Sequence, residues 1–366
     1  MYRTLEDAFS KENNFDLLRL IAALLVLYGH SFIMVKYNAY PAPFSDLMNA
    51  LSPWKDDWED LAVNIFFVIS GFLITASYLQ SQNFFSFLKK RIIRIYPAAV
   101  VSITLCVVLL YFTSAVPFQD YFFSDMTREF WIDNSTMRKT RYHLPGVFEE
   151  VRVSRVINGS LWTLPLEVKC YLYVAILGLV GALRHRWVMN ILVGVVAVSI
   201  AVPGWSNWIV GAPDKMRVYS FFIAGAAIYA NRDFIPLGRL GLALFAVLFT
   251  TLVFWPAEMP GAHLLYVITI SYAVLGLALF KPLRAINLRP IGDWSYGVYL
   301  YAFPVQQTLV WAYPSLTGWG LVMAATPLVL LCGALSWHGV EKHALRLKTV
   351  KLLPSVQLPF KWPLKK

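Results

Sequence analysis

The stretch NFDLLRLIAALLVLYGHSFIM, residues 14 to 34, decides how the rest of the chain is read. It is apolar and long enough to cross a bilayer, which takes about 20 helical residues, yet it holds Asp16, Arg19 and His30. On an α-helix eleven residues advance three turns plus about 20°, so Arg19 and His30 share one face, about 16 Å apart along the axis. Asp16, three residues before Arg19, joins that face. Ionisable groups inside a span are costly and turn to the bundle interior, where they pair or take part in chemistry. A histidine alone reads as a core residue; an aligned Asp, Arg and His on one buried stripe reads as a site. The run is too long for a signal-peptide core and no small-residue cleavage site follows it, so it is expected to remain as a helix.

Composition agrees. With 58% hydrophobic residues, 14% charged and a mean hydropathy of +0.56, the chain has too little polar surface for a soluble domain and reads as an all-α polytopic membrane protein. The net charge of +11 would suggest nucleic acid in a soluble chain. Here the basic residues belong in cytoplasmic loops and near anionic lipid headgroups, so membrane lipids are expected partners and nucleic acid is not. Cys106, Cys170 and Cys332 fall in apolar runs without metal-ligand spacing and read as packing residues, with no metal expected.

Apolar runs near 17–36, 61–80, 97–116, 161–183, 187–203, 217–231, 238–256, 262–280, 294–313 and 319–340 predict a bundle of about ten transmembrane helices. Basic residues cluster in KKRIIR (89–94), RHR (184–186), Arg232, Arg239, Lys281 and the tail KTVKLLPSVQLPFKWPLKK (348–366), which places those segments and both termini in the cytoplasm. Residues 1–345 are then one transmembrane domain and 346–366 a basic cytoplasmic tail. The opposite side carries the acidic DDWED (56–60) and the long segment 117–160, which forms either an external binding surface or an amphipathic cover on the headgroups. No internal repeat supports a duplicated transporter.

Two other polar intrusions matter. Glu167, in the fourth run, is expected about 9 Å inside the outer boundary, and so is His30, so the fold can bring them together. A carboxylate beside an imidazole fixes its tautomer and makes a general base; the competing reading is a salt bridge from Glu167 to Lys169 or an arginine. Arg91 and Arg94, three apart at the start of the third helix, are neighbours whose paired guanidinium forks suit phosphates, although such charges also set topology.

Taken in order, NFDLLRLIAALLVLYGHSF, FFVISGFLIT (66–75), KKRIIRIYP (89–97), SLWTLPLEVKCY (160–171), FFIAGAAIY (221–229), GDWSYGVYLYAFPV (292–305) and SWHGVEKHAL (336–345) resemble the landmarks of the membrane-bound acyltransferase-three family nearly end to end. The resemblance implies transfer of an acyl group, usually acetyl from cytoplasmic acetyl-CoA, to a hydroxyl of a saccharide or lipid-linked glycan in a bacterial cytoplasmic (inner) membrane. It places the family's arginine and histidine on Arg19 and His30, its RxxR on Arg91 and Arg94, and its glutamate on Glu167. Many members have a histidine in the ninth span where this chain has Ala302, so the burden of proton transfer falls on His30.

The expected catalytic residues are therefore His30, Glu167, Arg19 and Asp16. Those expected to hold acyl-CoA are Arg91 and Arg94, with Ser70 in ISGF read either as a packing residue or as one touching substrate. The rival from another class is a proton-coupled transporter or flippase, since intramembrane Asp, Arg, His and Glu also make relays; a non-catalytic scaffold is a third reading. The sequence leaves the acceptor sugar, the acyl chain and the oligomeric state open.

Overall fold

The computed structural model describes residues 4–9, 13–35, 41–81, 83–201, 205, 211–286, 288 and 290–349 of the 366-residue chain. Most of the expected tail, residues 350–366, therefore lies outside the described residues. The fold is all-helical; among the described residues the β-pairing is confined to two isolated bridges. Ten longer helices follow the apolar runs: α1 (Phe15–Met34), α2 (Trp58–Ser81), α3 (Phe84–Leu109), α4 (Thr163–Leu179), α5 (Arg186–Ala201), α6 (Pro213–Ala230), α7 (Gly238–Phe254), α8 (Ala262–Leu279), α9 (Ser295–Ala312) and α10 (Gly318–Ser336).

Six of them, α1, α2, α3, α4, α8 and α10, are long and apolar enough to cross a membrane. The other four fall short for physical reasons. α5 and α7 have only 16 and 17 residues, α6 opens on Asp214, Lys215 and Arg217, and α9 carries Tyr296, Tyr299, Tyr301, Gln306 and Gln307. The six establish a polytopic helical membrane protein.

α2 lies at the centre, packed against α1, α4, α6 and α8. Its crossing with α6 is built on two glycines. A Cβ on Gly71 would stand 2.0 Å from the carbonyl oxygen of Phe222, and one on Gly225 would stand 2.2 Å from that of Val68. Small residues let backbones approach where dispersion, not water exclusion, drives helix association. The glycines of ISGF and IAGA, 154 positions apart, are thus one contact.

The polar residues at the ends of α1 close the bundle. Asn14 donates to the carbonyls of Leu277 and Phe280 at 3.0 and 2.8 Å, and its own amide N–H bonds that of Ala278 at 2.7 Å. These carbonyls lie at the C-terminal end of α8, where the helix's own backbone donors run out. Further along, Gln306 of α9 donates to the Leu27 carbonyl and to Ser31 Oγ, both at 2.7 Å, which fixes the register of α9 on α1.

Residues 117–160 form a folded cap. Two short helices, Phe118–Phe122 and Asp125–Ser135, lie against the end of α3, where Tyr121 donates to the Val107 carbonyl at 2.9 Å and Trp131 to Thr104 Oγ1 at 2.9 Å. The return segment is held by Gln307, which donates to the carbonyls of Val153 and Val156 at 2.8 Å. DDWED is likewise no open loop: Asp56 is buried, paired with the buried Arg217 at 2.6 Å, and Arg217 reaches Asp60 at 2.7 Å. Burial of that cation requires the two carboxylates.

Gly225→Ala is expected to destabilise the protein by about 1–3 kcal/mol, because the added methyl meets backbone that cannot rotate away. Gly276→Ala, where a Cβ would meet nothing within 4 Å, is expected to leave stability unchanged or slightly improved. Thermal unfolding of both variants in the same detergent checks this.

Candidate active site

The principal cavity, about 250 Å³, opens among α1, α2, α3, α4 and α9 at the basic end of the bundle. Arg19, Ser70, Arg91, Arg94 and Glu167, which come from four separate sequence landmarks, all line it. Asp16 and His30 do not.

Arg94 is the most constrained of these. One end of its guanidinium bonds Asp293, and Nη1 lies 2.9 Å from Glu341 Oε2. Asp293 stands immediately before α9 and also accepts from Ser295 Oγ at 2.5 Å. Glu341 closes a π-helical turn, Trp337–Glu341, that continues α10; its other oxygen accepts from Ser336 at 2.9 Å. An inserted residue rotates the helix face, and π-turns of this kind are common at functional sites. Here the turn aims a buried carboxylate at Arg94. Two carboxylates on one guanidinium make Arg94 a strut joining α3, α9 and the end of α10.

Arg91, one turn earlier, is held loosely. It reaches Ser77 Oγ at 3.3 Å and lies over the rings of Phe87 and Tyr171 at 5.6 and 5.9 Å. It has no carboxylate partner among the described residues, and its Nε is buried without a hydrogen bond. Arg19 is intermediate, 3.7 Å from Asp16 and 3.8 Å from Asp293. The expected pair of equivalent phosphate forks is therefore divided: Arg94 is spent on protein carboxylates, and Arg91 keeps its donors.

The expected contact between His30 and Glu167 is not formed. Glu167 accepts from the Tyr171 hydroxyl, one turn along α4, while the His30 ring stands edge-on to Phe303 at 5.1 Å with Nδ1 buried and unpartnered. Depth alone suggested the pairing, but Glu167 lines the cavity and His30 does not. Phe66 and Tyr299, in edge-to-face contact at 5.5 Å, line the cavity. Phe303 follows Tyr299 by one turn of α9, so these rings form an aromatic layer with His30 beyond it. The layer is held by Thr163, 2.6 Å from the Tyr299 hydroxyl, and by Gly159, where a Cβ would stand 2.4 Å from the Phe303 ring.

Glu59 and Asp60 were missed as neighbours of the histidine. Glu59 Oε2 is packed against Gly29, where a Cβ would stand 2.0 Å away, and it lacks a hydrogen-bond partner. The carboxylate charge that reaches His30 is that of Asp60. The signal lay in DDWED, read as an external acidic segment although its last three residues begin α2.

Residues 12–338 match the acyltransferase-domain family of the acyltransferase-three type. The chain belongs to that family. Among its relatives are an O-acetyl transferase of Shigella phage Sf6, 29% identical over 93% of this chain and 98% of the relative, and nodulation protein 10 of Rhizobium leguminosarum bv. viciae, 26% identical over 94% and 96%. No solved structure matches it significantly. Membership and the O-acetyl transferase relative support an O-acyltransferase, and with it an acyl donor and an acceptor. In this acyltransferase the cavity gathers the arginines and Glu167, and His30 stands apart from them.

Arg94→Met is expected to cost roughly 3–5 kcal/mol of stability, because it leaves the buried Glu341 without its cation and Asp293 with only the more distant Arg19. Arg91→Met removes a half-buried charge that has no carboxylate partner and is expected to leave stability unchanged or raised. Parallel thermal unfolding in detergent separates the two.

Proposed function

We propose that the acyltransferase moves an acetyl group from acetyl-CoA to a hydroxyl of a saccharide or lipid-linked glycan in a bacterial cytoplasmic membrane. The basic end of the bundle faces the cytoplasm, and all ten long helices, tilted or shortened as their lengths require, cross or enter the bilayer. One observation carries the reading. A cavity at the basic end collects Arg19, Ser70, Arg91, Arg94 and Glu167, and the helix that brings Arg19 to it also carries His30, about 16 Å further in. An extended pantetheine arm covers about that distance.

On this reading the donor's phosphates stay at the mouth and its thioester passes between Phe66 and Tyr299. The acceptor hydroxyl reaches His30 from the opposite side. Its oxygen attacks the thioester carbon, a C–O bond forms, the C–S bond breaks, and the imidazole takes the hydroxyl proton and returns it to the leaving thiolate. The unpartnered Nδ1 suits a group that must bond a substrate hydroxyl. Glu167 acts at one remove: it holds Tyr171, on whose ring Arg91 rests, and so positions the donor side. Arg19 and its partner Asp16 brace the same mouth.

His30→Ala is expected to reduce transfer by about 10²- to 10⁴-fold with little loss of stability. The assay is acceptor-dependent release of free CoA by purified protein, together with mass spectrometry of surface glycans from cells with and without the gene. Full turnover by folded His30→Ala removes the histidine from the chemistry, and an unchanged acyl pattern without the gene removes the saccharide acceptor.

A further inference from the structure

The proposed donor site holds one cation that lies outside the helical landmarks. Lys348, in the 3₁₀ turn Leu347–Thr349 that follows the last helical segment, lines the principal cavity together with Arg19, Arg91 and Arg94. Four cations thus face a cavity that Glu167 alone among its lining residues serves as a carboxylate. Their commitments differ. Arg94 is taken by Asp293 and Glu341, and Arg19 is shared between Asp16 and Asp293. Lys348 and Arg91 have no carboxylate partner among the described residues.

Size gives the next step. Pockets that hold a drug-sized ligand have about 300–1,000 Å³, so a cavity of about 250 Å³ takes part of a coenzyme and leaves its nucleotide and phosphates at the mouth. Two unpaired cations held near each other, one a planar fork on α3 and one a compact ammonium on the turn after α10, repel until an anion comes between them. Burial and the positive charges of Arg91, Arg94 and Lys90 push the Lys348 ammonium down to about 8. A phosphate placed there supplies what these groups lack.

We infer that Lys348 and Arg91 together grip a phosphate of the acyl donor at the mouth of the cavity, with Arg94 acting as their support rather than as a ligand. The inference rests on the acyl-CoA reading given above. It makes Lys348 a substrate-binding residue supplied by the segment after the bundle. The same chemistry would hold the phosphate of an anionic lipid, so the test separates the two sources.

The full chain, purified in neutral detergent, is titrated with acetyl-CoA as wild type, K348M and K348R, with thermal stability checked in parallel. Losing one charge-assisted contact is expected to weaken acetyl-CoA binding about tenfold in K348M, while K348R stays within about threefold of wild type. The pH dependence is a second readout. The charged groups facing Lys348 are Arg91, Arg94 and Lys90 of α3, Arg19 of α1 and Glu167 of α4, and the arginines keep their charge throughout. Lys348 binds an anion as the ammonium, so wild-type affinity is expected to fall as pH rises from 7 to 9 through its value of about 8, while K348R stays flat. Equal acetyl-CoA affinity in wild type and K348M overturns the inference and leaves the proposed function standing. So does a K348M variant that loses only co-purified phosphatidylglycerol, which would make the ligand a lipid. Wild type that binds no acetyl-CoA overturns both.

Discussion

The clamp of Asp293 and Glu341 on Arg94 is the constraint on which the cavity depends. A guanidinium drawn out of water is tolerated only if carboxylates meet it with good geometry, and the two that do so come from opposite ends of a 49-residue stretch that includes α9 and α10. Satisfying Arg94 therefore brings α3, the start of α9 and the end of α10 to one point. Arg19 of α1 joins the same Asp293. The cavity is the space left beside that junction, and its walls hold position because the charges behind them do.

The helical architecture was legible because the apolar runs are long and separated by charged or proline-containing turns, and each of the ten runs became a helix. Arg19, Arg91, Arg94 and Glu167 were each legible as candidate site residues because a charge in apolar surroundings needs a polar interior. Their division of labour was not. Arg91 and Arg94 are indistinguishable in KKRIIR; what parts them is Glu341, aimed by a π-turn that has no signature in a pattern of hydrophobic and polar residues. Glu167 and His30 were matched by depth, a one-dimensional quantity, and azimuth decided otherwise.

The glycines of α2 and α6 illustrate a different limit. FFVISGFLIT and FFIAGAAIY each suggest a helix with a small-residue face, but nothing in either names the other as partner. In the structure each glycine receives the carbonyl of the other's helix. α2 also carries Ser70, Asn64, Asp60 and Glu59 along its length, so the depth to which α6 presses on it sets where those groups stand relative to the cavity and to His30.

The aromatic layer of Phe66, Tyr299 and Phe303 has a bearing on bioenergetics. On the proposed reading, a protein that admits one substrate from each face of an energised membrane risks becoming a conduit, and a proton crossing it dissipates about 2.3 kcal/mol per 100 mV. Buried ionisable groups on both sides of the layer would extend such a path if water joined them. On that reading, edge-to-face rings fastened by Thr163 and by the close approach of Gly159 would keep the two sides apart while yielding to a thin, largely uncharged acyl chain. The proposed reading thus gives the insulation of the membrane and the passage of the acyl group to the same three side chains.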